Sequence, residues 1–441
     1  MAFMVKVITY GTFDLLHYGH LKLLERAKAL GDYLIVGITA ADFDKIRGKI
    51  NVQQSLEERI AAVRATGLAD RIIVEEYEGQ KIDDIKRFDI DIFTVGSDWI
   101  GYFDYLKEYC KVIYLPRTEG VSSTKIRSKS AVLRLGMVGY SPFLKKFYNE
   151  SRFVNAVDVV GVCVPTPDTL PELQESLGIR TIEYQELLAG IDAVYLHSHP
   201  DSHYAECRIA LEQGKHVLCE SPIAMKVGEY KELLQLAKNN NCLLVEAIRT
   251  AYITAYVRML LLLKSGKIGK VVAVDATCTS LTSEENVGNN KKWGALEAWG
   301  PTALLPIFQI LGTDYERMNI FTLKDELGRD IFTKLNFNYA KATATIKVGT
   351  GVKSEGELLI SGTKGYVYVP APWWKTDYFE LRYENPADNK RYFYQLEGEG
   401  IRYELVELAN AVKNGKPDFY INHSVTEGIA KVMEEYKLLK S

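Results

Sequence analysis

Two histidines at the start of a predicted helix, His17 and His20, are the side chains most clearly suited to chemistry. They lie in YGTFDLLHYGH, where an apolar strand ends at Tyr10, Gly11 allows a tight turn and Gly19 allows the backbone to approach a ligand closely. The first N–H groups of a helix lack partners and its dipole end is positive, so a helix start attracts anions. Two imidazoles there can donate hydrogen bonds to phosphate oxygens as charge builds up on them. The segment therefore predicts phosphate chemistry.

Two further clusters of cations and hydroxyls favour the same chemistry. RTEGVSSTKI begins at Arg117, directly after an apolar strand, and brings several hydroxyls, a glycine and two cations to a predicted helix start. A loop after an earlier strand carries Lys45, Arg47 and Lys49 around Gly48. A solvated basic face is the alternative interpretation of that loop.

The elements that must position these residues form two successive βα series. Apolar strands alternate with amphipathic helices over the first 130 residues, and the pattern restarts at RLGMVGY. Such alternation predicts parallel sheets covered by helices. Beyond Val271 the period changes to strand-like alternation, which predicts a mostly antiparallel sheet with two closing helices. We expect an α/β protein with domains at 1–130, 131–250 and 251–441.

Composition narrows the class of protein. The 441 residues carry 54 basic and 57 acidic side chains, a net charge of −3, and no basic tract, which argues against nucleic acid as a main partner. No signal peptide is visible at the start, and the longest apolar stretch is too short to span a bilayer. Six cysteines lie far apart without a CxxC pair, as expected for reduced thiols. We expect a cytoplasmic protein without membrane insertion.

GTFDLLHYGH, GSDW and RTEGVSSTKI together resemble the glycerol-3-phosphate cytidylyltransferases, members of the HxGH nucleotidyltransferase superfamily. The resemblance runs from about Val5 to Arg127. It implies a Rossmann-like parallel sheet, CTP with Mg²⁺, and a polyol phosphate acceptor, with glycerol phosphate expected; the products are a CDP-alcohol and pyrophosphate. Such products feed capsule or teichoic-acid type polymers. On the acceptor side, Ala41, Gly67 and Glu78 stand where the family has an acid, an arginine and a tryptophan.

The resemblance also assigns site residues by position. Catalytic roles fall to His17, His20, Arg47, Lys49 and Arg117. The nucleotide-binding positions are Tyr10, Gly11, Thr12, Phe13, Gly19, Gly96, Asp98, Arg117, Thr118, Ser122, Ser123 and Thr124. Acceptor contacts would come from Arg47, Arg59 and Asp98. No metal site made of protein side chains is expected.

DAVYLHSHPDSHYAECRIALEQGKHVLCESP and LLLLKSGKIGKVVAV resemble the Gfo/Idh/MocA oxidoreductases, and the likeness covers nearly the whole second half. That family has an NAD(P)-binding Rossmann domain and an open sheet carrying substrate and the oligomer interface. Several of its chemical positions differ here. Ser141 and Leu144 replace glycines, Val164 replaces the ribose-binding acid, and Ser221 replaces the catalytic lysine. The later Asp/His pair has no counterpart in GPTALLPIFQILG, where Pro306 takes the place of the Asp.

Two interpretations of the second half stay open. One is a reductase with substitute residues, which would make the chain a bifunctional cytidylyltransferase and NAD(P)-dependent oxidoreductase supplying its own acceptor. The other is a Rossmann domain that has lost its redox activity and now serves oligomerisation or regulation. Changed or impaired redox chemistry with weak NAD(P) binding is favoured, because a serine cannot replace the proton-donating lysine. The candidate residues of the second half are Gly136, Gly139, Ser141, His199, Glu220, Arg249 and Tyr252. Gly136 and Gly139 are predicted to form a GxxG turn.

Two expectations concern the assembled protein. The alternating C-terminal sheet predicts an outer face rich in Tyr, Phe and Val, and an uncovered apolar face is a typical interface, so a homo-oligomer is expected. A non-catalytic regulatory or scaffold protein built from two degenerate nucleotide folds is the alternative from a different class.

Overall fold

The chain folds into two compact units, Met1–Val132 and Leu133–Ser441, in a computed structural model. The structure describes residues 4–16, 18–40, 52, 54–77, 79–116, 132–139, 143–154, 156–164, 182–281, 293–394, 396, 398–414 and 421–438. Among these residues, no helix combines the length and the apolar character that crossing a bilayer requires.

The first unit is a five-stranded parallel sheet in the order β3-β2-β1-β4-β5. Its strands are apolar runs because helices cover both faces, with Val7 and Leu24 in one core and Ile8 and Phe93 in the other. The strands are β1 Lys6–Gly11, β2 Tyr33–Thr39, β3 Arg71–Glu75, β4 Ile92–Gly96 and β5 Lys111–Leu115. The helices are α1 Tyr18–Lys28, α2 Leu56–Ala65 and α3 Gln80–Phe88. The strand order reverses between β1 and β4, and open α/β sheets bind ligands at the carboxyl edge beside such a reversal.

The second unit begins with another five-stranded parallel sheet, in the order β10-β9-β8-β6-β7. Its strands are β6 Leu133–Gly139, β7 Val157–Cys163, β8 Ala193–His197, β9 His216–Glu220 and β10 Leu244–Ala247. The described helices around it are α4 Phe143–Ser151, α5 Tyr184–Ala189, α6 Pro200–Glu212 and α7 Val227–Asn239.

An eight-stranded mixed sheet completes the second unit, in the order β12-β13-β14-β11-β15-β16-β17-β18. Among the described strands, β11 and β14 pair in parallel and the other neighbouring pairs are antiparallel. The strands are β11 Val271–Ser280, β12 Arg317–Lys324, β13 Asp330–Tyr339, β14 Ala342–Thr350, β15 Leu358–Gly362, β16 Tyr366–Val369, β17 Tyr378–Arg382 and β18 Lys390–Phe393. The helices are α8 Thr254–Lys264, α9 Ala295–Leu311, α10 Ile401–Asn414 and α11 His423–Leu438. The α/β class with two parallel sheets and a mostly antiparallel third sheet is confirmed.

The open face of the mixed sheet is more polar than the sequence predicted. On β13 and β14, Leu335 and Ile346 are buried, whereas Lys334, Thr345 and Lys347 lie on the opposite, partly exposed face. Aromatic side chains on that face are concentrated toward the edges of the sheet. The homo-oligomer therefore stays a prediction, with a mixed polar and aromatic face as its proposed interface.

Candidate functional site

The turn between β1 and α1 is built around the side chain of Phe13. Phe13 has a φ of 51°, a positive value that is uncommon for residues other than glycine. Its side chain is buried, at 1% exposure. A Cβ on Gly11 would lie 3.0 Å from the ring, so glycine leaves the room that the ring occupies. The ring meets the imidazole of His20 edge-on, with centroids 5.5 Å apart. The turn thereby positions His20 in the first turn of α1, beside Gly19.

The loop that follows β1 is tied to the segment around α2. Arg59 is fully buried, and its Nη1 donates hydrogen bonds of 2.9 Å to the carbonyl oxygens of Thr12 and Thr39. The backbone N–H of Gln54 donates to the carboxylate of Asp14 at 3.0 Å. Arg59 thus joins the loop after β1 to the end of β2, a positioning function that the sequence did not reveal. Its contact with an acceptor stays a prediction.

A buried polar network lies on the other face of β1. The hydroxyl of Tyr10 donates to Asp84 at 2.9 Å, and Gln80 donates to the same carboxylate at 3.0 Å. Lys81 pairs with buried Glu75, and its ammonium lies 4.6 Å from the centroid of the Tyr10 ring. Burial, followed by the charge of Asp84, raises the pKa of Tyr10 far above its usual range. Since the phenol points into this network, a nucleotide contact at Tyr10 would come from its backbone.

Sequence reasoning missed this network. A signal was present, because Gln80 and Asp84 are four residues apart and therefore share one face of α3. The partners on β1 and β3 could not be found without the fold.

Two predicted positions follow β4 at the same edge of the sheet. β4 ends at Gly96, and a short 3₁₀ turn over Ser97–Trp99 contains Asp98. Because β1 and β4 pair in parallel through Thr9 and Thr94, their carboxyl ends lie side by side. The structure therefore places Gly96 and Asp98 on the edge that carries the β1–α1 turn.

Several predicted residues lie outside the part of the chain that the structure describes. These are His17, Arg47, Lys49, Arg117, Thr118, Ser122, Ser123, Thr124 and Ser141, together with the side chain of Asp98. Their roles stay predictions.

In the second unit, the two glycines of the predicted GxxG turn have different functions. Gly139 ends β6 with a φ of 149°, and a Cβ there would lie 2.4 Å from the carbonyl oxygen of His197. Gly136 is not in a turn, which corrects the sequence interpretation. It lies inside β6, where a Cβ would lie 2.9 Å from Leu187 and Ile191. Gly136 therefore serves strand-to-helix packing and is no candidate for a phosphate loop.

Ser221, which stands at the position of the oxidoreductase family's catalytic lysine, and its neighbour Glu220 make contacts with different residues. Ser221 is buried and its hydroxyl donates to the carboxylate of Glu246, away from the neighbouring Glu220. Glu220 accepts a hydrogen bond of 2.5 Å from the hydroxyl of Tyr195, and its carboxylate lies 4.0 Å from Nδ1 of His197. Burial, reinforced by the charge of Arg249, lowers the pKa of His197 to about 3. His197 is therefore neutral at physiological pH.

The histidines of HSHPDSH serve separate purposes. His203 is fully buried, with its ring nitrogens 2.8 Å and 2.9 Å from the carbonyl oxygens of Pro222 and Ser198, and burial lowers its pKa to about 4. His199 caps α6 by accepting a 3.2 Å hydrogen bond from the backbone of Asp201. Within the described residues, no three histidine, cysteine or acidic side chains converge as metal ligands.

The last two candidates follow β10. The guanidinium of Arg249 lies 4.4 Å from the centroid of the Phe143 ring, at the start of α4, and 3.5 Å from Glu399. Tyr252 is 3% exposed and belongs to the interior. Pro306 lies inside α9, which packs on the mixed sheet, so this segment supplies core instead of a catalytic pair.

Comparison with known proteins assigns the first unit. Residues 8–129 match the family model described as Cytidylyltransferase-like. A glycerol-3-phosphate cytidylyltransferase from Bacillus spizizenii is 55% identical over 130 residues, which are 30% of this chain and 100% of that enzyme. The enzyme of the same name from Bacillus subtilis is 52% identical over 130 residues, again its whole length. The chain belongs to the cytidylyltransferase family. Its first unit is thus a complete cytidylyltransferase domain.

The second unit of this cytidylyltransferase matches different proteins. Residues 133–247 match the model described as Oxidoreductase family, NAD-binding Rossmann fold. A trans-1,2-dihydrobenzene-1,2-diol dehydrogenase from Xenopus tropicalis is 27% identical over 271 residues, 57% of this chain and 80% of that protein. A 3-ketoreductase from Actinomadura kijaniata, solved with NADP, has a TM-score of 0.59 at 17% identity and covers 69% of this chain and 96% of its own. The cytidylyltransferase is therefore fused to a unit with the oxidoreductase fold.

Proposed function

We propose that the chain joins CTP to glycerol phosphate to give CDP-glycerol and pyrophosphate. The observation that carries this proposal is the 55% identity over the whole length of a glycerol-3-phosphate cytidylyltransferase. The sheet supports it, because the β1–α1 turn and the β4 end share one carboxyl edge at the strand-order reversal.

The reaction requires positioning and charge neutralisation more than covalent participation by the protein. An oxygen of the acceptor phosphate attacks the α-phosphorus of CTP in line and forms a new P–O bond. The bond from the α-phosphorus to the bridging oxygen breaks, and its electron pair leaves with pyrophosphate. Hydrogen-bond donors aimed at the phosphate oxygens stabilise the charge that develops.

The residues of the first unit divide this work. We assign His17 and His20 as donors to the triphosphate, and Phe13 as the ring that fixes the orientation of the His20 imidazole. Arg59 acts indirectly by holding the carbonyl of Thr12. We further assign Arg47, Lys49 and Arg117 to the phosphates.

Magnesium enters as part of the Mg²⁺–CTP substrate. Mg²⁺ is usually bound through substrate phosphates and a few carboxylates, so we propose that the triphosphate oxygens supply its main ligands.

For the second unit we propose weak or absent NAD(P) binding. Phe143 packs on the ring of His197 with centroids 5.1 Å apart, at the start of the helix that a dinucleotide would approach. Ser221, at the position of the family's catalytic lysine, directs its hydroxyl to Glu246 in the interior, which argues separately against redox chemistry. Calorimetric titration of the full chain with NADH and NADPH tests this. Micromolar binding of NADH or NADPH would overturn the proposal of weak binding and make a bifunctional enzyme the better account. That bifunctional enzyme is the second candidate function, and the match to an NAD-binding Rossmann model favours it.

A panel of acceptors tests the primary function. The protein is incubated with CTP, Mg²⁺ and glycerol 3-phosphate, glycerol 2-phosphate, longer polyol phosphates or ethanolamine phosphate, and the products are identified by mass spectrometry. We expect CDP-glycerol from a glycerol phosphate. CDP-ethanolamine as the dominant product would contradict the proposed acceptor.

A further inference from the structure

Three cations of the second unit converge on the carboxylate of Glu399. Lys146 Nζ lies 2.5 Å from it, Lys375 Nζ 3.1 Å and Arg249 Nη1 3.5 Å. The Arg249 and lysine side chains are 31–41% exposed, so solvent and solutes can reach them. Three cations and one carboxylate thus lie in direct contact at this place.

The cations come from elements that border the ligand edge of the Rossmann sheet. Lys146 lies near the start of α4, the helix that follows β6, and Arg249 follows β10 directly. The carboxyl edge of an open parallel sheet is where ligands bind, and a helix start favours anions. The cation cluster therefore lies where fold and charge both favour an anionic ligand.

Glu399 is held in this cluster by an unusual backbone. Its φ is 51°, between Gly398 with a φ of 64° and Gly400 with a φ of 92°. A Cβ at Gly400 would lie 2.7 Å from the carbonyl oxygen of Arg249, so the loop packs directly on the strand end that carries this cation. A non-glycine residue in the left-handed region persists only where its surroundings fix it.

Glu399 is the acid that forms ion pairs with all three cations of the cluster. Although burial opposes ionisation, hydrogen bonds from Lys146 and Lys375 hold the pKa of Glu399 below its usual range. Glu150 on α4 is paired with Arg402 at 2.5 Å. Glu404 is buried near Glu220 and Arg249, and burial raises its pKa well above the usual range.

We propose that Lys146, Arg249 and Lys375 form a binding site for the phosphate group of a small phosphorylated alcohol, which Glu399 occupies when no ligand is bound. A phosphate monoester can take the place of the Glu399 carboxylate, because its oxygens accept charge-assisted hydrogen bonds from lysine and arginine. The choice of alcohol rests on the proposed function, because it is the class that the first unit uses as acceptor. Both units of one chain would then bind the same class of compound.

Phosphate titration of the full chain tests the proposal. Inorganic phosphate and glycerol 3-phosphate are titrated calorimetrically into the wild type, the Glu399→Gln variant, the Lys146→Ala/Lys375→Ala double variant and a Lys231→Ala control. Lys231 forms an exposed pair with Glu427 in the same unit. Binding at the first unit is common to all four proteins, so their differences report the second unit.

We expect Glu399→Gln to tighten phosphate binding about tenfold, since the internal competitor loses its charge, equivalent to about 1.4 kcal/mol. The double variant should lose at least tenfold, and the control should match the wild type. Unchanged binding in the double variant overturns the proposal even if Glu399→Gln fails to fold. Loss of NADPH or NADH binding alone in the double variant also overturns it, because the ligand would then be a dinucleotide. Turnover of CTP, measured on the same proteins, tests the proposed function separately.

Discussion

Replacing Lys81 by methionine should strongly destabilise the first unit. The side chains of Lys81 and Glu75 are only 8% and 2% exposed, and Thr39 donates a further hydrogen bond of 3.0 Å to Glu75. Removal of one partner leaves a carboxylate in the interior, and breaking a buried pair in this way costs about 3–5 kcal/mol. A domain is typically stable by about 5–15 kcal/mol, so the variant should retain its fold with a much reduced margin.

Equilibrium urea unfolding, followed by circular dichroism and by loss of CTP turnover, measures this cost. The Glu75→Gln/Lys81→Met double variant should recover much of the loss, because glutamine is neutral and still accepts the hydrogen bond from Thr39. Lys28→Met is the matched control, since Lys28 pairs with Asp70 at side-chain exposures of 32% and 34%, and such pairs are worth about 0–1 kcal/mol. If Lys81→Met costs no more than Lys28→Met, the reasoning about the buried pair is refuted.

Three further predictions concern catalysis, pH dependence and assembly. His20→Ala and His17→Ala should each lower kcat by about 10²- to 10³-fold with unchanged circular dichroism, because a transition-state donor is lost; a variant that keeps a tenth of the wild-type kcat would show that the residue is no such donor. Glu404 has a raised pKa in the folded state, so the unfolded chain ionises it first, and its contribution to stability is lost as pH rises from the unfolded pKa toward the folded one. The free energy of unfolding of Glu404→Gln should therefore rise relative to the wild type as the pH rises above the ordinary glutamate pKa, by up to about 1.4 kcal/mol per pH unit, and a constant difference in urea titrations would refute the raised pKa. Light scattering should give at least twice the monomer mass of 49.8 kDa at micromolar concentration, and a monomer would exclude the predicted homo-oligomer.

Apolar runs were sufficient to predict the strands of both parallel sheets, and three of these runs end at glycine. β1 ends at Gly11, β4 at Gly96 and β6 at Gly139. Each of these strands is buried on both faces, so it is an almost continuous apolar run that can be recognised without knowing which strands lie beside it. The edge strand β12, Arg317–Lys324, was not among the strands predicted, because its apolar residues lie on both faces and do not alternate with polar ones.

Elements stabilised by tertiary packing were harder to predict. α9 contains Pro301 and Pro306, which normally interrupt helices, and it forms because its side chains fill the core under the mixed sheet. Gly136 was assigned to a turn because a GxxG spacing does not distinguish a loop glycine from one that makes room for a helix.

The same distinction applies to the candidate site, where neighbours in the sequence could be predicted and contacts made by packing could not. Motif spacing located the β1–α1 turn and its His20, because these residues are adjacent in sequence. It gave no indication that Arg59 holds Thr12 or that Lys81 pairs with Glu75, because those contacts depend on how α2 and α3 pack on the sheet. The cluster around Glu399 joins residues up to 253 positions apart, from Lys146 to Glu399, and only the fold brings them together.

Pyrophosphate release by the full chain is the most direct test of the central claim. The rate is measured with CTP and Mg²⁺, with and without glycerol 3-phosphate, and with ATP, GTP or UTP in place of CTP. The account predicts rapid release that requires both CTP and a glycerol phosphate. Release that is independent of the acceptor, or equal with all four nucleotides, would contradict a CTP-dependent cytidylyltransferase that uses glycerol phosphate.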